Sequence, residues 1–119
     1  ENMTAVLYIK DSVERTLEAA KYTYNASIQD YELRFRMLYA QVQDYRQILS
    51  AAQTALACEQ ASYAAQELKY QQGSISENTL LSARDTLQEA EETVESAKND
   101  LFSAYNSYCW AVEHGILNG

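Results

Sequence analysis

The side chains that most often carry out chemistry in proteins are few in this 119-residue sequence, and they stand far apart. His114 is the only histidine, and Cys58 and Cys109 are the only cysteines. A zinc site needs several such ligands at short, paired spacings, and these residues do not have them. Gly73 has no second glycine near it, so it does not form a glycine-rich phosphate loop. The sequence therefore predicts no catalytic, cofactor-binding or metal-binding residues.

Tyrosines and carboxylates are the reactive groups that remain, and both fit a structural role better. The chain has ten tyrosines, and on long helices such rings usually pack at interfaces with the hydroxyl group in water. The carboxylates have no predictable cleft around them. A histidine near the end of a helix, such as His114, more often interacts with the helix dipole than with a metal. We therefore expect the chain not to be an enzyme.

Charge and hydropathy weigh against two classes of partner. The formal net charge is −8, whereas nucleic acids and anionic membrane surfaces bind clusters of lysine and arginine. No apolar run approaches the roughly 18 residues that a membrane-spanning helix needs. We expect no nucleic-acid partner and no membrane contact through this part of the chain.

The elements that must position these residues are helices. The chain has no proline and three glycines, of which only Gly73 lies in the interior. In the second half, large residues recur every seven positions, and alanines recur at the same period. This a/d heptad pattern is typical of a helix packed along its whole length against another helix. The a positions are Leu80, Leu87, Val94, Leu101 and Tyr108, and the d positions are Ala83, Ala90, Ala97, Ala104 and Ala111. We call these ten residues the Leu/Ala seam.

A second heptad row runs through the first half of the chain. Its a positions are Ile28, Phe35, Val42, Leu49, Leu56, Tyr63 and Tyr70, and its d positions begin as Tyr31, Leu38, Tyr45 and Ala52. The d row then reaches Glu59 and Gln66, while alanines become frequent nearby, at Ala57, Ala61, Ala64 and Ala65. We interpret this as one long helix whose buried face drifts or broadens towards Gly73.

Together the two rows predict an all-α fold: one long antiparallel two-helix coiled-coil hairpin, with no strands. The helices are expected at about residues 4–72 and 76–114, because Gly73 suits the left-handed position that ends a helix. Ser74 or Ser76 can cap the second helix. The connection is short, so the helices should be antiparallel neighbours. Residues 1–119 then form a single helical hairpin.

This geometry leaves apolar surface uncovered. If the turn centres near residue 74, facing residues have numbers that add up to about 148, and the second helix ends opposite residue 34. The overhang beyond that point carries the apolar residues Val6, Leu7, Val13, Leu17 and Tyr24. We expect a fold-back, another copy or a segment outside this sequence to cover them. A second apolar face near the end of the second helix comprises Phe102, Tyr105, Cys109, Trp110 and Val112.

The same register places the two cysteines far apart along the hairpin. A disulfide needs Cα atoms within about 7 Å, so none is expected between Cys58 and Cys109. We expect both to be small buried hydrophobic residues.

The segment from Leu68 to Gly115 resembles the outer-membrane efflux protein family, the TolC-like channels. Those proteins carry a long helix, a Tyr-x-x-Gly motif with a short polar turn, and a second helix with a Leu-Leu-x-Ala opening, a Leu/Ala repeat and a closing glycine. The matching residues here are Tyr70, Gly73, Leu80, Leu81, Ala83, Leu87, Ala90, Ala97, Leu101, Ala104 and Gly115. Upstream, the long helix of the family is matched around Tyr31 and Tyr39.

The resemblance implies an export channel. Family members are trimers, in which helical hairpins and strands from each chain form a periplasmic tunnel below an outer-membrane barrel. The glycine turn lies at the tunnel tip, where a periplasmic adaptor of an efflux or type I secretion system docks. Tyr70, Gln72, Gly73 and Ser74 would form this partner-contacting tip. The chain would be the second hairpin of a larger cell-envelope protein, needing no cofactor and reaching the membrane only through parts outside this sequence.

Two departures limit what carries over from the family. Thr79 and Ser82 stand where some members carry carboxylates that ring the entrance, and Ile75 stands where an arginine follows the turn. Entrance gating is therefore not expected to follow the family pattern. The alternative function is a structural coiled-coil module that oligomerises or scaffolds partners and has no transport role.

Overall fold

A computed structural model describes residues 2–115 as two helices, α1 (Asn2–Gln71) and α2 (Glu77–His114). The molecule measures 107 × 20 × 17 Å, and residues 2–115 contain no strand. The predicted all-α hairpin is therefore confirmed. Both ends of each helix lie within two residues of the expected positions.

Helix α1 is continuous because nothing within it breaks a helix: Asn2–Gln71 contains neither glycine nor proline. Three ion pairs with four-residue spacing support its exposed surface, namely Asp11–Arg15, Asp30–Arg34 and Glu32–Arg36. Each such pair contributes only about 0.2–0.5 kcal/mol. Because α1 runs straight through residues 2–33, the overhang does not fold back on the hairpin.

The turn between the helices is a Schellman motif. Gly73 has φ of +78°, its N–H donates to the Tyr70 carbonyl at 2.9 Å, and the Ser74 N–H donates to the Lys69 carbonyl at 2.8 Å. Of the two serines that the sequence offers as a cap, Ser76 is the one used: its hydroxyl accepts the Thr79 N–H at 3.2 Å. The turn therefore satisfies the N–H groups of Gly73, Ser74 and Thr79 with its own acceptors.

Helix α2 ends at Gly115, as the sequence predicts. Gly115 has φ of +63°, and its N–H donates to the Ala111 carbonyl at 2.8 Å. In the last turn, a ring nitrogen of His114 lies 3.0 Å from the Trp110 carbonyl oxygen. A nitrogen that donates to this carbonyl complements the partial negative charge at the end of the helix.

Every residue of the Leu/Ala seam is buried or half-buried in the structure. Val94, Ala97, Ala104 and Ala111 are buried, and the others are half-buried. The centre of the core is a cluster of Ala52, Val94 and Ala97, against which Leu49 and Leu56 pack. Small residues on both sides of this cluster allow the two helices to approach closely.

The interpretation that the buried face of α1 drifts or broadens towards Gly73 is wrong. Ala57, Ala61, Ala64 and Ala65 are exposed, whereas Glu59 and Gln66 are half-buried. The heptad register continues without a shift, because Glu59 and Gln66 have aliphatic stems that cover the seam while their polar ends reach water.

Two contacts between the helices define their register. The rings of Tyr39 and Tyr108 lie 6.0 Å apart, and the Arg84 guanidinium donates to the Tyr63 hydroxyl at 3.2 Å. The residue numbers of each pair add up to 147. Helix α2 therefore ends opposite residue 33 or so, and residues 2–33 of α1 are exposed throughout.

Candidate functional surfaces

The tip consists of Tyr70, Gln72, Gly73 and Ser74, and all four are exposed. The Schellman bonds hold the backbone of this turn in one conformation. The side chains of Tyr70, Gln72 and Ser74 are therefore presented on a fixed frame. These side chains offer an aromatic ring, an amide and a hydroxyl group, none of which is charged. They suit a partner that recognises them by hydrogen bonds and by shape.

Gly73 determines how well this frame is held. A Cβ atom built on Gly73 meets nothing within 4 Å, so the only obstacle to a side chain is the positive φ. We expect Gly73→Ala to lower the free energy of unfolding by about 1–2 kcal/mol. Gly73→Asn should lower the free energy of unfolding by less than Gly73→Ala does, because asparagine tolerates the left-handed region. Urea unfolding of both variants checks this, and equal losses would contradict the backbone explanation.

Below the tip, the Arg84–Tyr63 hydrogen bond joins the two helices. This bond is the main reason that the pKa of Arg84 lies above its usual value. Sequence analysis placed Tyr63 in the α1 heptad row but did not single out Arg84. The signal was available: Arg84 follows seam residue Ala83, and the predicted register places it within one residue of Tyr63.

The outer face of α2 comprises Phe102, Tyr105, Trp110 and Val112, all of which are exposed. Phe102 is 67% exposed, an unusual degree for a phenylalanine. Phe102 and Tyr105 line one edge of an open groove of about 430 Å³ that runs between the helices past Val42 and Arg46. Further along, the Trp110 and His114 rings stack 4.3 Å apart. Exposed apolar side chains of this kind are typical of surfaces that contact other proteins.

The expectation that both cysteines are buried is not met. Cys109 is half-buried, but Cys58 is exposed, and both are free. Cys58 lies outside the α1 heptad row, which explains its exposure. Hydrogen bonding to the Cys109 thiol is the main influence that raises the pKa of Tyr105 above its ordinary value.

The acidic stretch of α2 forms an open, shallow surface around Glu91, Glu92 and Glu95. Lys98 lies 3.4 Å from the Glu95 carboxylate. Within residues 2–115, no group of three or more histidine, cysteine or carboxylate side chains is arranged to hold a metal ion. This stretch is a solvated helix face.

Among the described residues, no helix is long and apolar enough to cross a bilayer. Comparisons of the chain with protein-family models, with characterised proteins and with solved structures find no match.

Proposed function

We propose that this chain is a packing element of a larger helical assembly, and that the assembly is the tunnel of a TolC-like export channel. The observation that carries the proposal is the uncovered apolar surface of the hairpin. Its internal seam is complete, yet the outer face of α2 and the whole overhang of α1 remain exposed. Exposed apolar surface of this extent is typical of contact with further protein.

The shape of the molecule supports a tunnel wall rather than a compact domain. A rod of 107 × 20 × 17 Å is one layer of helix pairs thick, so neighbours are needed on its sides to form a closed structure. The close-packed alanines of the seam keep the rod narrow. Conduction through such a wall requires no catalytic residue, which agrees with the absence of a reactive cluster in the sequence.

The tip supports docking at one end. It is the turn between the two helices, the N–H groups of Gly73 and Ser74 are bonded within it, and its side chains are exposed. A partner that contacts Tyr70, Gln72 and Ser74 meets a surface that does not need to reorganise, which lowers the entropic cost of binding. In the proposed channel, this partner is a periplasmic adaptor.

The reading frame that encodes these residues tests the channel directly. A full-length gene with a secretory signal, a first hairpin similar to this one and intervening strand segments is expected. A gene without them would refute the channel and leave the coiled-coil scaffold as the function.

Crosslinking in the cells that produce the full-length protein tests docking. Gln72→Cys, with Cys58 and Cys109 replaced by serine, should be linked to a periplasmic adaptor by a thiol-to-amine reagent. Gln53→Cys is the matched control, because Gln53 is also exposed but lies about 28 Å from the tip along the helix axis. Equal capture from both positions would contradict docking at the tip.

A further inference from the structure

The overhang carries an apolar stripe that continues the α1 side of the hairpin interface. From Val6 to Tyr31, apolar residues follow one another at steps of 3, 4, 4, 3, 4, 4 and 3 residues. The repeat of 3, 4 and 4 corresponds to 11 residues over three turns, which keeps a stripe on one side of a nearly straight helix. Beyond Tyr31, the heptad row that packs against α2 takes over without a gap. The stripe therefore continues the face of α1 that packs against α2, in the region that α2 does not reach.

This order of steps reads the same in both directions. Two copies of the overhang that run antiparallel therefore present matching apolar residues to each other when the facing residue numbers add up to 37. In this register Val6 lies opposite Tyr31, Ile9 opposite Ile28, Val13 opposite Tyr24 and Leu17 opposite Ala20. All eight residues are exposed in the single chain.

We propose that the overhang is a self-association surface, on which a second copy of this chain docks antiparallel about a twofold axis between residues 18 and 19. The second overhang would occupy the line along α1 that α2 leaves open. Each copy would use the same surface, as a twofold interface requires. The pairing goes beyond the proposed channel, because it concerns copies of this chain alone.

Charges beside the stripe favour the same register. Lys21 of one copy lies level with residue 16 of the other, and Glu14 and Glu18 of that copy lie two residues away on either side, about 3 Å along the axis. In an antiparallel pair, equivalent flanks of the two helices face each other, so these charges meet. Within residues 2–115 of one chain, none of the three forms an ion pair. The other flank has the small uncharged residues Thr16 and Ser27, which permit close approach.

Matched tyrosine variants of the 119-residue chain test the surface. Tyr24 lies on the stripe and is 67% exposed, whereas Tyr22 lies on the opposite side of α1 and is 78% exposed. Sedimentation should show a dimer for the unmodified chain and for Tyr22→Glu. Tyr24→Glu should raise the dissociation constant on the order of 100-fold, because the substitution enters the twofold interface twice. Circular dichroism of both variants verifies that the hairpin is intact.

Spin labels on the otherwise unmodified surface test the direction of pairing. The background is Cys58→Ser and Cys109→Ser. Labels at Ala19→Cys of the two copies should lie at nearly the same level along the helix axis, whereas labels at Gln29→Cys should be offset by about 31 Å along that axis. A monomer at every concentration, equal label distances at both sites, or equal weakening by Tyr22→Glu and Tyr24→Glu would each overturn the proposal. None of these results affects the channel proposal, which is tested separately by the reading frame and by crosslinking at the tip.

Discussion

Leucine in place of Ala97 is expected to lower the free energy of unfolding by about 1–3 kcal/mol, the usual cost of forcing extra methylene groups into a packed interior. Ala97 is 4% exposed and lies in the core cluster with Ala52 and Val94. A leucine there has no unoccupied volume to enter, because the helices approach closely at their small residues. The two helices must therefore separate locally, and van der Waals contacts between neighbouring seam residues are then lost.

The matched control for this prediction is Ala61→Leu. Ala61 is an exposed alanine of α1, so a leucine at that position projects into water and should change the free energy of unfolding by less than about 0.5 kcal/mol. Both variants gain the same side chain on a helix, so helix propensity cancels in the comparison. Thermal unfolding followed by circular dichroism measures the difference. Similar melting temperatures for the two variants would show that the alanine row does not lie in a tight interface.

The heptad periodicity was sufficient to predict the fold, because both helices repeat their interface residues every seven positions. Heptads from Leu80 to Ala111 and from Phe35 to Gln66 specify two facing stripes, and one glycine separates them. The register was predicted to within one residue because a Schellman turn has a fixed length. Here local propensity, pattern and turn chemistry all favour the same structure.

The drift of the α1 face was mispredicted because residue type was given more weight than position. Ala64 is apolar and Gln66 is polar, yet Gln66 is the half-buried residue of the two. A long polar side chain at a seam position can cover the interface with its methylene groups and remain hydrated at its end. An alanine outside the register has too short a side chain to reach the other helix.

The functional surfaces are less accessible to sequence reasoning than the fold, for a physical reason. An apolar residue at the correct spacing is buried wherever a partner helix exists, and the sequence predicts the end of α2 opposite residue 34 but not what covers α1 beyond that point. The positions of Tyr24 and Leu49 follow the same pattern, but α2 covers only Leu49. The structure shows that α2 stops covering α1 near residue 33 and that residues 2–33 are exposed.

Aspartate in place of Val94 should lower the free energy of unfolding by about 3–5 kcal/mol, as for an uncompensated buried charge. This effect is larger than the one expected for leucine at Ala97. Val94 is 5% exposed and belongs to the core cluster. Val112→Asp is the matched control, because Val112 is 56% exposed on the same helix. Its effect should stay below about 1 kcal/mol, mostly from a negative charge near the carboxyl end of α2.

The pH dependence separates a buried charge from a simple loss of apolar packing at this position. Burial disfavours the ionised form, so the folded-state pKa of the new carboxyl should lie above the unfolded value of about 3.9. The folded state then binds more protons than the unfolded state, and stability relative to the unmodified chain recovers as the pH falls through the raised pKa. Urea unfolding of Val94→Asp and Val94→Asn at pH 7 and pH 4 measures this. Recovery should occur for aspartate alone, and a parallel pH response of the two variants would mean that the carboxylate is not desolvated in the seam.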